Sequence, residues 1–291
     1  MSMGRYGSRV SVMRIYAVAN QKGGVGKTTS TINLGRALSE LGRRVLLVDF
    51  DPQGHLTEAI GAPAAPAEGA NLARALLGQW SGELGDLLHK VSDNLFVLCT
   101  SDDMFLLEPQ MYARTGREQL LSRFLDALTD VFDDVVIDCP PSLGAINDSA
   151  LVATRRRTTG GHSEVTGKII IPVGAEDSSI RALRLLLRQV RTLCEALNIE
   201  LNIAGLLVNL YDARRGKVAT TTLEAFKNHP LGVVEVIHDR AKVRDSWRER
   251  TPLMDYAPDS ENAEAFRNLA RRLAVNEIPG TTAGATTAVT A

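Results

Sequence analysis

The sequence predicts an α/β fold: a single domain built on a mostly parallel sheet with helices on both faces. Three observations lead there. Short β-branched runs alternate with stretches of helical periodicity. The runs are apolar almost without interruption, as in strands buried on both faces. A glycine-rich turn joins the first run directly to the first helical stretch, which is how a strand–loop–helix unit begins.

Each element follows in turn. "RIYAVAN" (14–20) reads as the first strand, and "TTSTINLGRALSELG" as a helix that ends at Gly42, a residue suited to a C-terminal cap. "RVLLVDF" (44–50) is the second strand, and "IGAPAAPAEGA" (60–70) a Pro/Ala/Gly loop. "NLFVLCT" (94–100) and "DVVIDCP" (134–140) are further strands, with the amphipathic "REQLLSRFLDALTDVF" between them. "TRRRTTGGHSEVTGK" (154–168) is a polar inserted loop where a short link would serve. Then come the strand "KIIIPV" (168–173) and the helix "SSIRALRLLLRQVRTLCEAL". "IAGLLVNL" (203–210) and "VVEVI" (233–237) complete the strands, and "SENAEAFRNLARRLAV" is a last helix capped by Asp259 or Ser260. The expected organisation is a flexible arm at 1–13, one domain at 14–276 and a disordered tail at 277–291.

Composition narrows the function. The 291 residues are 44% hydrophobic and 23% charged, as in soluble globular proteins, and aromatics at 5% leave the core to Val, Ile, Leu and Ala. A net charge of −1 argues against a wholly basic nucleic-acid binder, so any DNA contact needs a local patch. Cys99, Cys139 and Cys194 form no CxxC pair, which disfavours a disulfide framework or a cysteine cluster site. No apolar run reaches signal-peptide or membrane-span length, so a cytoplasmic protein is expected.

The chemistry concentrates in "NQKGGVGKTTS" (20–30). Gly26, Lys27 and Thr28 supply the end of a phosphate-loop motif, G-x-x-x-x-G-K-[ST], but Gln21 stands where its first glycine belongs, and a second lysine, Lys22, follows. Gly23, Gly24, Val25 and Gly26 can wrap phosphates at close range, at the positive end of a helix. Lys27 would reach the β- and γ-phosphates of a nucleotide, and the Thr28 hydroxyl would ligate Mg²⁺. Such a site needs strand-end carboxylates. "VLLVDFDPQG" offers Asp49 and Asp51, and "DVVIDCPP" offers Asp138. The predicted fold is accordingly of the P-loop NTPase type.

"KGGVGKTT", "VDFDPQG" and "VVIDCPPSLG", in this order, resemble the deviant Walker A ATPases of the ParA/MinD superfamily. "LLVNLYDARRG" and "VRDSW…PLMDYAPDSENAEAFRNLA" look more like the ParA branch (Soj-like), which partitions chromosomes or plasmids. The resemblance implies ATP and Mg²⁺ as cofactors and an ATP-bound homodimer, with Lys22 crossing to the partner's nucleotide. It implies catalytic roles for Lys22, Lys27 and Asp51, the last orienting the attacking water. Thr29 would lie near the α-phosphate, Asp49 and Asp138 would hold the magnesium shell with Thr28, and Asn209 would read the adenine. It implies cytoplasmic, nucleoid-associated action: non-specific binding of double-stranded DNA, and hydrolysis stimulated by a ParB-like centromere-binding protein on the cargo. Candidate DNA contacts are Arg214, Arg215 and Lys217 in "YDARRGK", and Arg240, Lys242 and Arg244 in "DRAKVRD".

Other readings remain beside this one. A ParA-like ATPase could position a protein cargo instead. MinD-like membrane cycling would need a terminal amphipathic basic helix, and the Thr/Ala/Gly tail after Pro279 has no lysine, arginine or aromatic residue. Iron–sulfur relatives would need a partner for Cys139, and an ATP-dependent ligase would need a substrate pocket. Arg155, Arg156 and Arg157 in the insertion either extend a DNA face or sit solvated, and Arg5 and Arg9 in the arm either touch DNA or nothing. No helix-turn-helix segment precedes Arg14, so site-specific operator binding is not expected.

Overall fold

A computed structural model describes residues 12–160, 163–176 and 178–283, with the side chain of Arg215 outside this set. The elements run β1 (Val12–Val18), α1 (Lys27–Glu40), β2 (Val45–Asp49), α2 (His55–Ala59), α3 (Leu72–Leu76), β3 (Leu88–Ser92) and β4 (Leu95–Leu98). Then follow α4 (Met104–Tyr112), α5 (Leu120–Asp126), β5 (Asp134–Asp138), α6 (Ala145–Ala153), β6 (Arg157–Thr159), β7 (Ser163–Gly174) and α7 (Ser178–Leu197). The last are β8 (Asn202–Tyr211), α8 (Lys217–Lys227), β9 (Val233–His238), α9 (Ala241–Arg248), α10 (Leu253–Tyr256), α11 (Glu261–Ala274) and β10 (Thr281–Thr282).

All these strands join one sheet in the order β10-β8-β7-β1-β5-β2-β4-β3, with β9 added beside β8 and β6 beside β7. The central pairs β8–β7–β1–β5–β2–β4 are parallel, and β3, β6 and β10 pair antiparallel. Two apolar clusters cover the two faces: Ile15, Leu46, Val135 and Ile171 belong to one, and Tyr16, Leu47, Val136 and Ile170 to the other. That split is the period-two alternation of a strand applied to runs apolar on both sides, as the sequence pattern requires.

Three expected boundaries change. The segment 154–168 is no loop: β6 and β7 pair antiparallel through Arg157↔Val165 and Thr159↔Ser163. Its anchors are buried. Arg157 bonds Asp126 at 2.8 Å and the carbonyls of Ala153, Arg155 and Ser122, while a side chain at Gly167 would meet the Ile15 carbonyl at 2.2 Å. The expected tail contains a strand: Thr281 and Thr282 pair with Ile203 and Asn202 of β8. The first strand starts two residues early, at Val12, which shortens the arm; Arg5 and Arg9 lie outside the described residues.

Candidate nucleotide site

The loop between β1 and α1 is shaped by backbone conformation and then locked from two sides. Gly24 and Gly26 hold φ of 73° and 82°, the left-handed region that side chains resist. A β-carbon on Gly26 would also stand 2.8 Å from the Asn209 amide nitrogen, so this position has no room for a larger residue. From the end of β8, that Asn209 nitrogen donates to the Val25 carbonyl at 2.9 Å and to the Ser30 hydroxyl at 2.9 Å. On the other side, Asn20 accepts the Lys22 backbone N–H at 2.9 Å and donates to the Pro172 carbonyl at 2.6 Å. Pro172 lies past the last β1–β7 pair, Val18↔Ile170, so a proline is tolerated there and the asparagine takes over the link between strands.

Lys27 opens α1 and is only 6% exposed. Its ammonium donates to the Lys22 carbonyl at 3.0 Å. Burial lowers its pKa, and the Asp138 charge pulls the other way. Lys22, by contrast, reaches along the surface, where its ammonium is bound by the Glu176 carboxylate and, at 2.6 Å, by the Ser178 hydroxyl.

Parallel register delivers the carboxylates. Asp138 at the end of β5 lies opposite both Val18 of β1 and Asp49 of β2, so two acids sit at adjacent strand ends beneath the loop. Both are fully buried. One Asp49 oxygen accepts from the Thr57 backbone N–H at 2.8 Å and from the Thr57 hydroxyl, which itself accepts the Thr100 N–H at 3.0 Å. The other Asp49 oxygen and both Asp138 oxygens accept no hydrogen bond from the described residues. Burial pushes the Asp49 pKa up to about 7 against the pull of Thr57. Asp138 is raised well above the usual range, by burial first and then by Asp49; the Thr28 hydroxyl, near enough to oppose this but outside hydrogen-bond geometry, leaves both oxygens unsatisfied. Asp51 lies two residues beyond β2, 6% exposed, and its carboxylate accepts the Gln53 N–H at 3.0 Å.

Above the loop opens a cavity of about 530 Å³. Its floor is Gly23, Gly24, Gly26 and Lys27 to Thr29; Asp51, Gln53 and His55 form one wall, and Val243, Arg244, Trp247 and Arg248 of α9 another. Loop, lysines, Thr28, Thr29, Asp49, Asp51 and Asp138 are thus assembled at one end of the sheet, as their motifs imply. Asn209 lies close by but beneath the loop, 3% exposed, with its amide nitrogen spent on loop carbonyls and Ser30. The structure makes it a brace.

Three of the six expected DNA contacts are held in ion pairs. Arg214 donates to the two Asp212 oxygens from Nε at 2.9 Å and Nη2 at 3.0 Å, Arg240 binds Glu261 at 3.0 Å, and Arg244 is paired with Asp239 while lining the nucleotide cavity. Lys217 and Lys242 are exposed, and the Arg215 side chain lies outside the described residues. Asn20, Ser30, Thr57, Glu176 and Trp247 also shape the site, although no sequence motif marks them. Only Asn20, an amide at a strand end, carries a local signal.

Comparison with known proteins agrees with this geometry. The family described as AAA domain matches residues 13–203. The sporulation initiation inhibitor protein Soj of Bacillus subtilis is 33% identical over 265 residues, covering 90% of this chain and 99% of Soj. The crystal structure of cobyrinic acid a,c-diamide synthase from Mycobacterium smegmatis with bound ADP and magnesium is 32% identical with a TM-score of 0.72, covering 91% of this chain and 95% of that one. The septum site-determining protein MinD of Pyrococcus horikoshii, complexed with Mg-ADP, is 26% identical with a TM-score of 0.69, over 90% of this chain and 96% of that one.

Proposed function

This chain belongs to the ParA/MinD superfamily of ATPases, and on that premise we propose that it is a Mg²⁺-dependent partitioning ATPase. In this reading two copies enclose ATP, the dimer holds duplex DNA without sequence preference, and a ParB-like partner on the cargo triggers hydrolysis and release. Relatives named as chromosome-partitioning ATPases, such as Soj of Thermus thermophilus at 33% identity, support the partitioning role. It acts in the cytoplasm on the nucleoid, and its cargo is a chromosome, a plasmid or a protein assembly.

The observation that carries the reading is the Asp49–Asp138 pair, three of whose oxygens are buried without a hydrogen bond among the described residues, directly beneath a phosphate loop. Unsatisfied buried carboxylates are costly and imply an electropositive guest. No group of three or more His, Cys, Asp or Glu side chains that could hold a metal occurs among the described residues. Magnesium at a phosphate loop suits this scarcity, since it keeps its waters and relies on one or two side chains plus substrate phosphates. Thr28, with Asp49 and Asp138 behind it, would hold the ion, which supplies neutralisation of the β- and γ-phosphate charge.

The chain's own groups do the rest. The loop N–H groups and the start of α1 receive phosphate, and Lys27, already stripped of most water, is the fixed cation for the β- and γ-oxygens. Asp51 stands at the cavity wall, where its carboxylate can orient an attacking water. Lys22 changes partner, from Glu176 in its own chain to the nucleotide of the second copy. Phosphoryl transfer depends on positioning more than on basicity, so an aspartate here gives slow turnover that a partner's cation can accelerate.

Light scattering with ADP, ATP and a slowly hydrolysed analogue tests this, with and without duplex DNA. A dimer only with intact triphosphate is expected, and a monomer under saturating analogue overturns the sandwich. Similarity to cobyrinic acid a,c-diamide synthase keeps a ligase as a second reading. ATP turnover that rises with a small carboxylic acid, and not with DNA plus partner, would select it. No helix among the described residues is long and apolar enough to cross a membrane, and a MinD-like cycle would show as ATP-dependent vesicle binding.

A further inference from the structure

We propose that the outer face of α7 is the surface that grips the DNA backbone. The helix is strongly two-sided. Ala182, Leu183, Leu186, Val190 and Leu193 are buried against the sheet and α6. On the opposite side stand Arg181, Arg184, Arg188 and Arg191, spaced three, four and three residues apart, which places all four in one row along the helix.

Three of these arginines are exposed and Arg191 is half-buried. None of the four makes an ion pair or side-chain hydrogen bond among the described residues. That sets them apart from Arg214, Arg240 and Arg244, each held by an acid. Four unneutralised guanidinium groups in a chain of net charge −1 are a concentrated positive field that attracts an anion.

The spacing selects the anion. The row is about 15 Å long with a cation every ~4.5–6 Å. A duplex presents one negative charge per ~1.7 Å of axis, so a row of this length meets several phosphates at once. Guanidinium groups match phosphate oxygens in pairs, which suits a row built wholly of arginine. Such contacts read charge and carry no sequence information. The row also begins three residues after Ser178, the hydroxyl that holds Lys22, so it is rooted beside a residue of the nucleotide site.

The inference rests on the DNA-binding part of the reading above, and the experiment separates the two. Anisotropy of a fluorescein-labelled 30-base-pair duplex of arbitrary sequence is followed with the slowly hydrolysed ATP analogue at several salt concentrations. Wild type is compared with Arg184→Ala/Arg188→Ala, Arg184→Lys/Arg188→Lys and Arg214→Ala. The alanine pair should weaken binding by roughly tenfold or more and reduce the salt slope by about 2, and ATP affinity and basal turnover should be unchanged. The lysine pair should keep the wild-type salt slope, since charge is kept, and bind more tightly than the alanine pair, though below wild type because the paired guanidinium contacts are lost. Arg214→Ala should stay near wild type. If the alanine pair misfolds, loss of binding in Arg184→Glu/Arg188→Glu with retention in the lysine pair decides the matter. Full binding by the alanine pair overturns the α7 surface and leaves DNA binding standing, whereas no binding by wild type overturns both. Displacement of the duplex by poly-glutamate at equal charge would reassign the row to an acidic polypeptide and overturn the proposal.

Discussion

Lys22 and Glu176 are ion-paired within one chain at the mouth of the phosphate loop, and Ser178 accepts a second hydrogen bond from the same ammonium. Glu176 is 56% exposed, so the pair stabilises the closed arrangement by at most about 1 kcal/mol. That is a latch weak enough for a triphosphate to open. Two such latches open per dimer, so Glu176→Ala should shift the ATP-analogue dimerisation constant toward dimer by up to ~30-fold. Lys22→Ala should abolish the dimer while nucleotide still binds the monomer. Sedimentation equilibrium reads both, and undiminished dimerisation of Lys22→Ala would refute the crossing lysine.

Asp138 represents stability given up for function. Its carboxylate is buried, beside a second buried acid, with no hydrogen bond among the described residues. Asp138→Asn removes the charge conflict at nearly constant volume. Without nucleotide the variant should melt higher, by the equivalent of ~1 kcal/mol or more, while Mg²⁺-dependent turnover is lost. A lower melting temperature would mean that Asp138 serves the fold.

Asn209 separates two roles that a strand-end asparagine can play. As the structure has it, its amide holds the Val25 and Gly26 carbonyls and Ser30. Asn209→Ala should then weaken ATP and GTP alike, by roughly tenfold for two lost buried hydrogen bonds, and leave the ratio between them unchanged. A variant that loses ATP selectively would restore the base-reading role.

What the sequence reveals here depends on distance. The loop, the strand-end acids and the α7 apolar periodicity are legible because each is written in consecutive residues whose geometry is local. The bracing contacts of Asn209 cannot be read from the sequence because its partners Val25 and Ser30 are more than 170 residues away along the chain. Arg214, Arg240 and Arg244 read as free cations because nothing in the pattern shows that Asp212, Glu261 and Asp239 pair with them. The segment 154–168 reads as a loop because its β signal is short and interrupted by glycines, and its support from Asp126 and Ile15 is tertiary.

The Arg157 anchor makes that last point testable. Its side chain is 9% exposed, and its guanidinium bonds Asp126 and three carbonyls. Arg157→Ala strands Asp126 and those carbonyls, and should cost about 3–5 kcal/mol by urea denaturation, far more than an exposed loop arginine. Arg156→Ala, next along the chain and paired with Glu164 at the surface, should cost less than about 1 kcal/mol. Equal small losses would return the segment to a loop.

The end of α8 gives a pH signature. His229 accepts the Leu231 backbone N–H at Nδ1, 3.2 Å away, and its carbonyl takes the Gly232 N–H at 2.8 Å. Burial holds its pKa below the ordinary 6.5, because the charged ring would lose water it cannot replace. A folded-state pKa below the unfolded one means that the unfolded chain takes up the proton first as pH falls. The contribution of this histidine is therefore complete above pH ~6.5 and is lost as pH drops through that value toward the lower folded pKa. Acidic groups elsewhere also lose stability in acid, so the comparison must be internal: between pH 7 and 5 the wild-type melting temperature should fall further than that of His229→Gln. Parallel curves would show that the ring is protonated as readily in the folded chain as in the unfolded one.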